Sequence, residues 1–201
     1  MKDLIILVGP SASGKSTFAK SLVSNVDKPW VILNRDSFRK SLYGYEDKSL
    51  SDYYKDKRIG AREKLITQAS SLFNFLLSKN DSNIIVDNTN LQLKYLTDII
   101  DFNKTFYNIE IKLFNNSYSY CLENDKKRDA KVGEEVLKRQ FKHLEKLKKN
   151  KKFKEYIDLY SVEIYDDDFK SIGIKGNSGP GPHPTGEPGI AGFDKKKSKK
   201  D

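Results

Sequence analysis

An apolar run, Leu4-Ile5-Ile6-Leu7-Val8, passes without a break into Gly9-Pro10-Ser11-Ala12-Ser13-Gly14-Lys15-Ser16-Thr17. A short strand, a loop bounded by glycines and a closing Lys-Ser/Thr together form a phosphate-binding loop. The loop's N–H groups turn inward around phosphate oxygens, and the helix beginning near Gly14 adds its positive end. Residues Gly9, Ser11, Ala12, Ser13, Gly14, Lys15, Ser16 and Thr17 are the expected nucleotide contacts. Lys15 reaches the β- and γ-phosphates, and the Ser16 hydroxyl completes the coordination of Mg²⁺. A plain glycine turn between strand and helix is the alternative reading, and it leaves Lys15 unexplained.

The rest of the chain alternates in the way such a loop demands. Helical patterns fall at 17–26, 61–79, 92–103, 117–127 and 134–149. Short apolar runs at 30–33, 83–86, 109–114 and 161–165 read as further strands. Short apolar strands separated by helices make a parallel sheet covered on both faces. The expected fold is therefore α/β, of the P-loop kinase type: about four to five parallel strands, helices on both faces and a helical lid. Ligands of such sheets bind at the carboxyl ends of the strands. Three polar clusters follow strands one, two and three, so they are expected to meet.

The second cluster is Asn34-Arg35-Asp36-Ser37-Phe38-Arg39. An acid after a second strand also occurs in dinucleotide-binding folds, but those need G-x-G-x-x-G after the first strand, and this chain has G-x-x-x-x-G-K-S. Beside a phosphate loop, a carboxylate can take the proton of an attacking hydroxyl, and Asp36 is the candidate. Arg39, one helical turn on, can clamp an acceptor phosphate. The competing reading makes Asp36 a helix cap. The third cluster is Asp87-Asn88-Thr89-Asn90. An acid ending an apolar strand is expected to hold Mg²⁺, and Asp87 fills that place. An Asx cap for the next helix accounts for Asn90. Beyond strand four, Lys126-Lys127-Arg128 suits a lid that closes on the nucleotide. Arg128 is the candidate for neutralising charge on the transferred group, because lysine lacks the planar fork.

The net charge of +9 is unevenly spread. Residues 126–152 hold twelve Lys and Arg against four Asp and Glu. Concentration of the excess there favours a polyanionic ligand over a merely solvated face. The single cysteine, Cys121, excludes an internal disulfide and places the protein in a reducing, cytoplasmic compartment. His143 and His183 have no partner at metal-ligand spacing, which argues against zinc. No apolar stretch approaches the roughly 20 residues that span a bilayer, so no membrane partner is expected. Seven of the twelve glycines and four of the six prolines lie within 171–192, and a lysine run follows. The domain is accordingly read as 1–170, with 171–201 a disordered Gly/Pro- and Lys-rich tail, native or appended.

Taken together, these clusters resemble the kinase half of the phage-type polynucleotide kinase/phosphatase family. The resemblance rests on residues 9–17, on Asn34-Arg35-Asp36 with Arg39, on Asp87-Asn88-Thr89-Asn90-Leu91, and on Asp125-Lys126-Lys127-Arg128 ahead of Gly133-Glu134-Glu135. It covers about residues 1–165. It implies transfer of the γ-phosphate of ATP to 5′-hydroxyl ends of DNA or RNA, with a ligase as a partner downstream. It implies Lys15, Asp36 and Arg128 as catalytic residues, Arg35 and Arg39 on the acceptor, and Ser16 and Asp87 on Mg²⁺. Asp166-Asp167-Asp168-Phe169 lacks the D-x-D-G-T pattern of the phosphatase half, so a stand-alone kinase is expected. Two departures stand out. Asn124 occupies a place where relatives look to carry a second lid arginine, and either Asp87 or Asn88 fills the family's acidic position. A small-metabolite or nucleoside kinase of the same fold is the alternative, and Arg39 argues against it, since a phosphate-free acceptor gives it nothing to bind. Tyr43, Tyr45, Tyr53 and Tyr54, interleaved with lysines, suit either stacking on a single strand or packing at the sheet's edge.

Overall fold

Five consecutive apolar residues in β1 (Lys2–Val8) can be buried only if both faces of its sheet are covered, and the fold covers both. The structure is a computed structural model that describes residues 1–24, 29–42, 62–79, 81–168 and 171–174. After β1 come α1 (Lys15–Ser24), β2 (Trp30–Leu33), α2 (Arg35–Ser41), α3 (Arg62–Ser78), β3 (Asn83–Val86) and α4 (Leu93–Asn103). The chain continues through β4 (Tyr107–Phe114), α5 (Tyr118–Lys127), α6 (Glu134–Lys149), α7 (Lys151–Leu159), β5 (Ser161–Tyr165) and β6 (Ser171–Ile174).

The strands form one sheet in the order β2-β3-β1-β4-β5-β6, parallel except for β6. Leaving β1, the chain crosses to β2 at the sheet's edge and returns to β3 beside β1. It then crosses again to β4 on the other flank of β1. The crevice at the carboxyl ends of β1 and β3 is thus the topological switch point, where such sheets bind ligands. Register sets the ends of β2 and β3 level, Leu33 opposite Val86, while β1 runs two residues past them, with Ile6 opposite Val86 and Val8 opposite Leu113. The residues that follow, Gly9, Asn34 and Asp87, therefore emerge along one edge.

Alternation along β1 divides the core into two layers. Leu4, Ile6 and Val8 pack with Phe73 and Leu77 of α3, Leu96 and Ile100 of α4, Leu144 and Leu147 of α6, and Phe153 of α7. Ile5 and Leu7 face the opposite layer, with Ala19, Phe18 and Leu22 of α1 and with Phe114 and Tyr165. Phe114 and Tyr165 stack at 5.1 Å, and Phe18 meets Phe114 edge-on at 5.8 Å, so an aromatic floor lies under the phosphate loop.

The parallel sheet with helices on both faces is the one expected. Two elements differ from the sequence reading. Helix α7 was not anticipated; its apolar residues Phe153, Tyr156 and Ile157 span too short a stretch to stand out in a lysine-rich run, although Asn150 caps it by accepting from Lys152 N at 2.9 Å. Ser171–Ile174, assigned to the tail on composition, instead pairs with β5, so the sheet extends past the boundary drawn at 170. Residues 175–201 and Tyr43, Tyr45, Tyr53 and Tyr54 lie outside the described residues.

Gly9 sits where β1 meets this floor. A Cβ there would come within 2.7 Å of Phe114 Cβ and 2.9 Å of the Phe114 carbonyl oxygen. Backbone cannot yield cheaply, so Gly9→Ala is expected to destabilise the protein by about 1–3 kcal/mol. Urea unfolding measures this; a midpoint equal to that of the unsubstituted protein would contradict the packing described.

Candidate active site

The phosphate loop is shaped by backbone residues in the left-handed region. Ala12 has φ 60° and Gly14 has φ 92°, the alternation that turns successive amides toward one point. Helix α1 begins at Lys15, and its first backbone bond runs from Phe18 N to Gly14 O at 2.9 Å. The amides before Phe18 are those a helix leaves without intrahelical acceptors. Ser16 and Thr17 are exposed in this first turn.

Lys15 is folded into the loop. Its Nζ donates to the Pro10 carbonyl and to Ser13 Oγ, the latter at 3.2 Å. Burial pushes its pKa down to about 8, while Asp87 and, more weakly, Cys121 pull it up and Arg128 adds to the depression. Asp87 and Arg128 thus both act electrostatically on Lys15, in opposite senses. Cys121 is itself buried, and burial pushes its thiol up to about 12.

The second and third clusters are joined by asparagines. Asn34 caps α2, its Oδ1 accepting from Asp36 N at 2.9 Å and Ser37 N at 3.0 Å. Capping therefore belongs to Asn34, and the reading of Asp36 as the cap is corrected. The Asp36 carboxylate, 52% exposed, accepts instead from Arg39 Nη1 at 2.5 Å. The other end of the Asn34 amide donates to the Asp87 carbonyl at 2.5 Å and approaches Asp87 Oδ2 at 3.4 Å. Asp87 is buried at the end of β3, whereas Asn88 is spent on holding Arg35 N at 3.1 Å. Of the two candidates for the acidic position, only Asp87 faces Lys15. Asn90 does not cap α4; it takes a left-handed φ of 48° and donates to the Leu7 carbonyl at 2.8 Å. With Gly9 N on Thr89 O at 2.9 Å, it staples the third cluster to the first.

The lid is ordered by Asp125, a buried acid within a lysine run. Its two oxygens accept from Val132 N and Gly133 N, each at 3.0 Å, which fixes the turn from α5 into α6. Arg128 ends α5, 44% exposed and 3.7 Å from Asp125. Asn124, in the place of a lid arginine, donates to the Ala12 carbonyl at 3.4 Å. Sequence reasoning missed Gln140 on α6, which accepts from Ser11 N at 2.7 Å and donates to Ser11 Oγ at 3.0 Å. No local signal marked it, because 129 positions separate the pair.

The residues present fit a nucleotide with Mg²⁺. The inward-turned loop and Lys15 match a triphosphate, while the Ser16 hydroxyl and the Asp87 carboxylate are hard oxygen donors of the kind Mg²⁺ takes. Around the start of α2, Asn88 Nδ2, Arg35 Nε and Arg39 Nε are buried without hydrogen-bond partners among the described residues.

Lys15 is charged at pH 7 in both states, and its depressed pKa makes that charge costly when folded. The cost of about 3 kcal/mol persists below pH 8 and declines as pH rises toward 10.5, because there the unfolded chain binds the extra proton. Lys15→Met is therefore expected to stabilise the nucleotide-free protein by about 1–3 kcal/mol at pH 7, the gain shrinking as pH approaches 10.5. Urea titrations across that range check it; a variant less stable at pH 7 would contradict the burial cost.

Comparison with known proteins places the fold. A family model described as an AAA domain matches residues 4–147. A candidate bifunctional polynucleotide kinase/RNA ligase of Autographa californica nuclear polyhedrosis virus is 31% identical over 147 residues, covering 70% of this chain and 20% of that protein. A chain in the Pnkp1/Rnl/Hen1 RNA repair complex is 25% identical with a TM-score of 0.60, covering 86% of this chain and 48% of that one. A chain of the PezAT chromosomal toxin–antitoxin system of Streptococcus pneumoniae has a TM-score of 0.64 at 17% identity, covering 86% of this chain and 71% of that one, and so shares the fold. This chain thus spans about a fifth of the viral relative and about half of the repair-complex chain. It belongs to the AAA-domain family, as a P-loop kinase-type domain similar to polynucleotide kinases.

Proposed function

We propose that the domain transfers the γ-phosphoryl group of ATP to the 5′-hydroxyl end of DNA or RNA, in end repair that precedes sealing by a ligase. One observation carries this reading: the cap on α2 is Asn34, which leaves the Asp36 carboxylate exposed beside Arg39 and tethered through Asn34 to Asp87. A mere capping residue would have its carboxylate engaged by the first-turn amides, which here are taken by Asn34.

In this reading Asp36 accepts the proton of the 5′-hydroxyl as its oxygen bonds to the γ-phosphorus and the bond to the β-phosphate oxygen breaks, releasing ADP. Arg39 spends one of its five N–H donors on Asp36 and keeps the others for the acceptor's 3′-phosphate. Arg35 adds positive charge beside it. Lys15 and the loop amides hold the β- and γ-phosphates, and Arg128 offsets charge on the group in flight. Ser16 and Asp87 would hold Mg²⁺, which when bound neutralises phosphate charge. Asn124 and Gln140 tie α5 and α6 to Ala12 and Ser11 of the loop.

Label transfer from γ-labelled ATP to a 5′-hydroxyl oligonucleotide, beside free nucleosides and sugars, tests the reading. Asp36→Ala is expected to lose about 10²–10⁴ in rate. Arg39→Ala is expected to impair a nucleoside 3′-phosphate far more than a bare nucleoside. An unchanged rate for the first variant removes Asp36 from the mechanism, and equal losses for the second remove the clamp. Labelling of sugars in preference to every nucleotide would overturn the assignment.

A further inference from the structure

A groove with a cavity of about 670 Å³ lies between α2, α3 and α4. Arg35 and Arg39 line its head, beside the candidate acceptor site, and Phe75, Ser78, Phe102 and Asn103 line its lower reach. Both α3 and α4 run antiparallel to the strands they join, so the groove descends from the strands' carboxyl ends along the outside of the helical layer. The 11 residues of α4 give it a length of about 16 Å.

Its lining is unusual for solvent-facing surface. Phe75 is 55% exposed, Tyr95 47% and Phe102 62%, three of the eight large exposed hydrophobic residues among those described. The Arg35 guanidinium lies 4.2 Å above the Phe73 ring and 5.7 Å from that of Tyr95, so the head of the groove is cationic and aromatic at once. Among the described residues, Arg35 Nε and Arg39 Nε are buried donors without partners, and Asn103 Oδ1 is a buried acceptor without one. Asp98 is the carboxylate in the lining, an acceptor for a ribose hydroxyl or a base amino group.

We propose that this groove is a strand-binding subsite for the acceptor, taking the nucleotides 3′ to the one that is phosphorylated. The inference rests on the reading of the domain as a polynucleotide kinase and names how it tells a strand from a mononucleotide. Guanidinium groups one turn apart on α2 meet backbone phosphates, and the exposed rings of Phe75, Tyr95 and Phe102 offer faces on which unpaired bases stack. An apolar protein segment would cover the rings and leave the cationic head of the groove without a counter-charge. A strand supplies bases for the rings and phosphates for the arginines.

The test uses the full chain and its Phe75→Ala/Phe102→Ala variant, whose replaced rings are more than half exposed, with circular dichroism to verify folding. Two acceptors are compared, a nucleoside 3′-monophosphate and a 5′-hydroxyl hexanucleotide. In the unsubstituted protein the hexanucleotide is expected to have a KM lower by about tenfold or more, since stacking on one ring is worth roughly 5–100-fold. In the variant this ratio collapses toward one. Fluorescence anisotropy of a labelled hexanucleotide, without ATP, is expected to show Kd raised by about tenfold or more. A variant that keeps both the KM ratio and the Kd overturns the subsite, as does one whose KM rises equally for both acceptors. A protein that binds the hexanucleotide through the groove but phosphorylates neither acceptor would sink the kinase reading while leaving the subsite standing.

Discussion

The parallel pairing of β1 with β3 on one side and β4 on the other is the constraint from which the active edge is built. With the β2–β3 ladder they set Gly9, Asn34 and Asp87 along one edge of the sheet. The floor beneath is as restrictive. Phe114 at the end of β4 packs so closely under the start of the phosphate loop that only glycine fits at position 9. The loop is therefore held from below by aromatic packing and from the side by Thr89 and Asn90, before any ligand contributes.

On that frame, neutral carboxamides make most of the connections between clusters. Asn34 joins α2 to Asp87, Asn88 holds Arg35 N, Asn90 holds β1, and Asn124 and Gln140 join the lid to the loop. Each such bond is worth only about 0.5–1.5 kcal/mol net. Their value lies in having a donor and an acceptor on one side chain, so that a single residue can bridge two elements without spending a charge. The ionic groups are thereby left for chemistry. Lys15 shows what the alternative costs, since its buried ammonium is held against a desolvation penalty comparable to several of these hydrogen bonds together. Stability is given up at the loop proposed to bind phosphate.

Much of this was legible in the sequence because the deciding signals were local. The apolar tetrads at 30–33 and 83–86 became β2 and β3 with the same bounds, and 134–149 became α6, its first-turn acids and last-turn lysines matching the helix dipole. The phosphate loop needed nothing beyond its own residues. What escaped was long-range. The pairing of Gln140 with Ser11 has no trace in either neighbourhood, and the burial of Asp125 depends on how α5 meets α6. Asn34 is a different case: an asparagine directly before an acidic first turn is a cap signal, and Asp36 two residues on offers a competing one. The tail boundary failed for a physical reason as well. Composition registers glycine and proline, but an edge strand of four residues needs only a partner, and β5 supplies one.

The central claim is that the carboxylate of Asp36 and the phosphate loop converge on one acceptor oxygen. A crystal structure with a non-hydrolysable ATP analogue, Mg²⁺ and a 5′-hydroxyl oligonucleotide measures this directly. The account predicts the 5′ oxygen within hydrogen-bonding distance of Asp36 and in line with the γ-phosphorus, with Arg39 on the adjoining phosphate. A 5′ end bound elsewhere, with Asp36 still engaged only by Arg39, would contradict it.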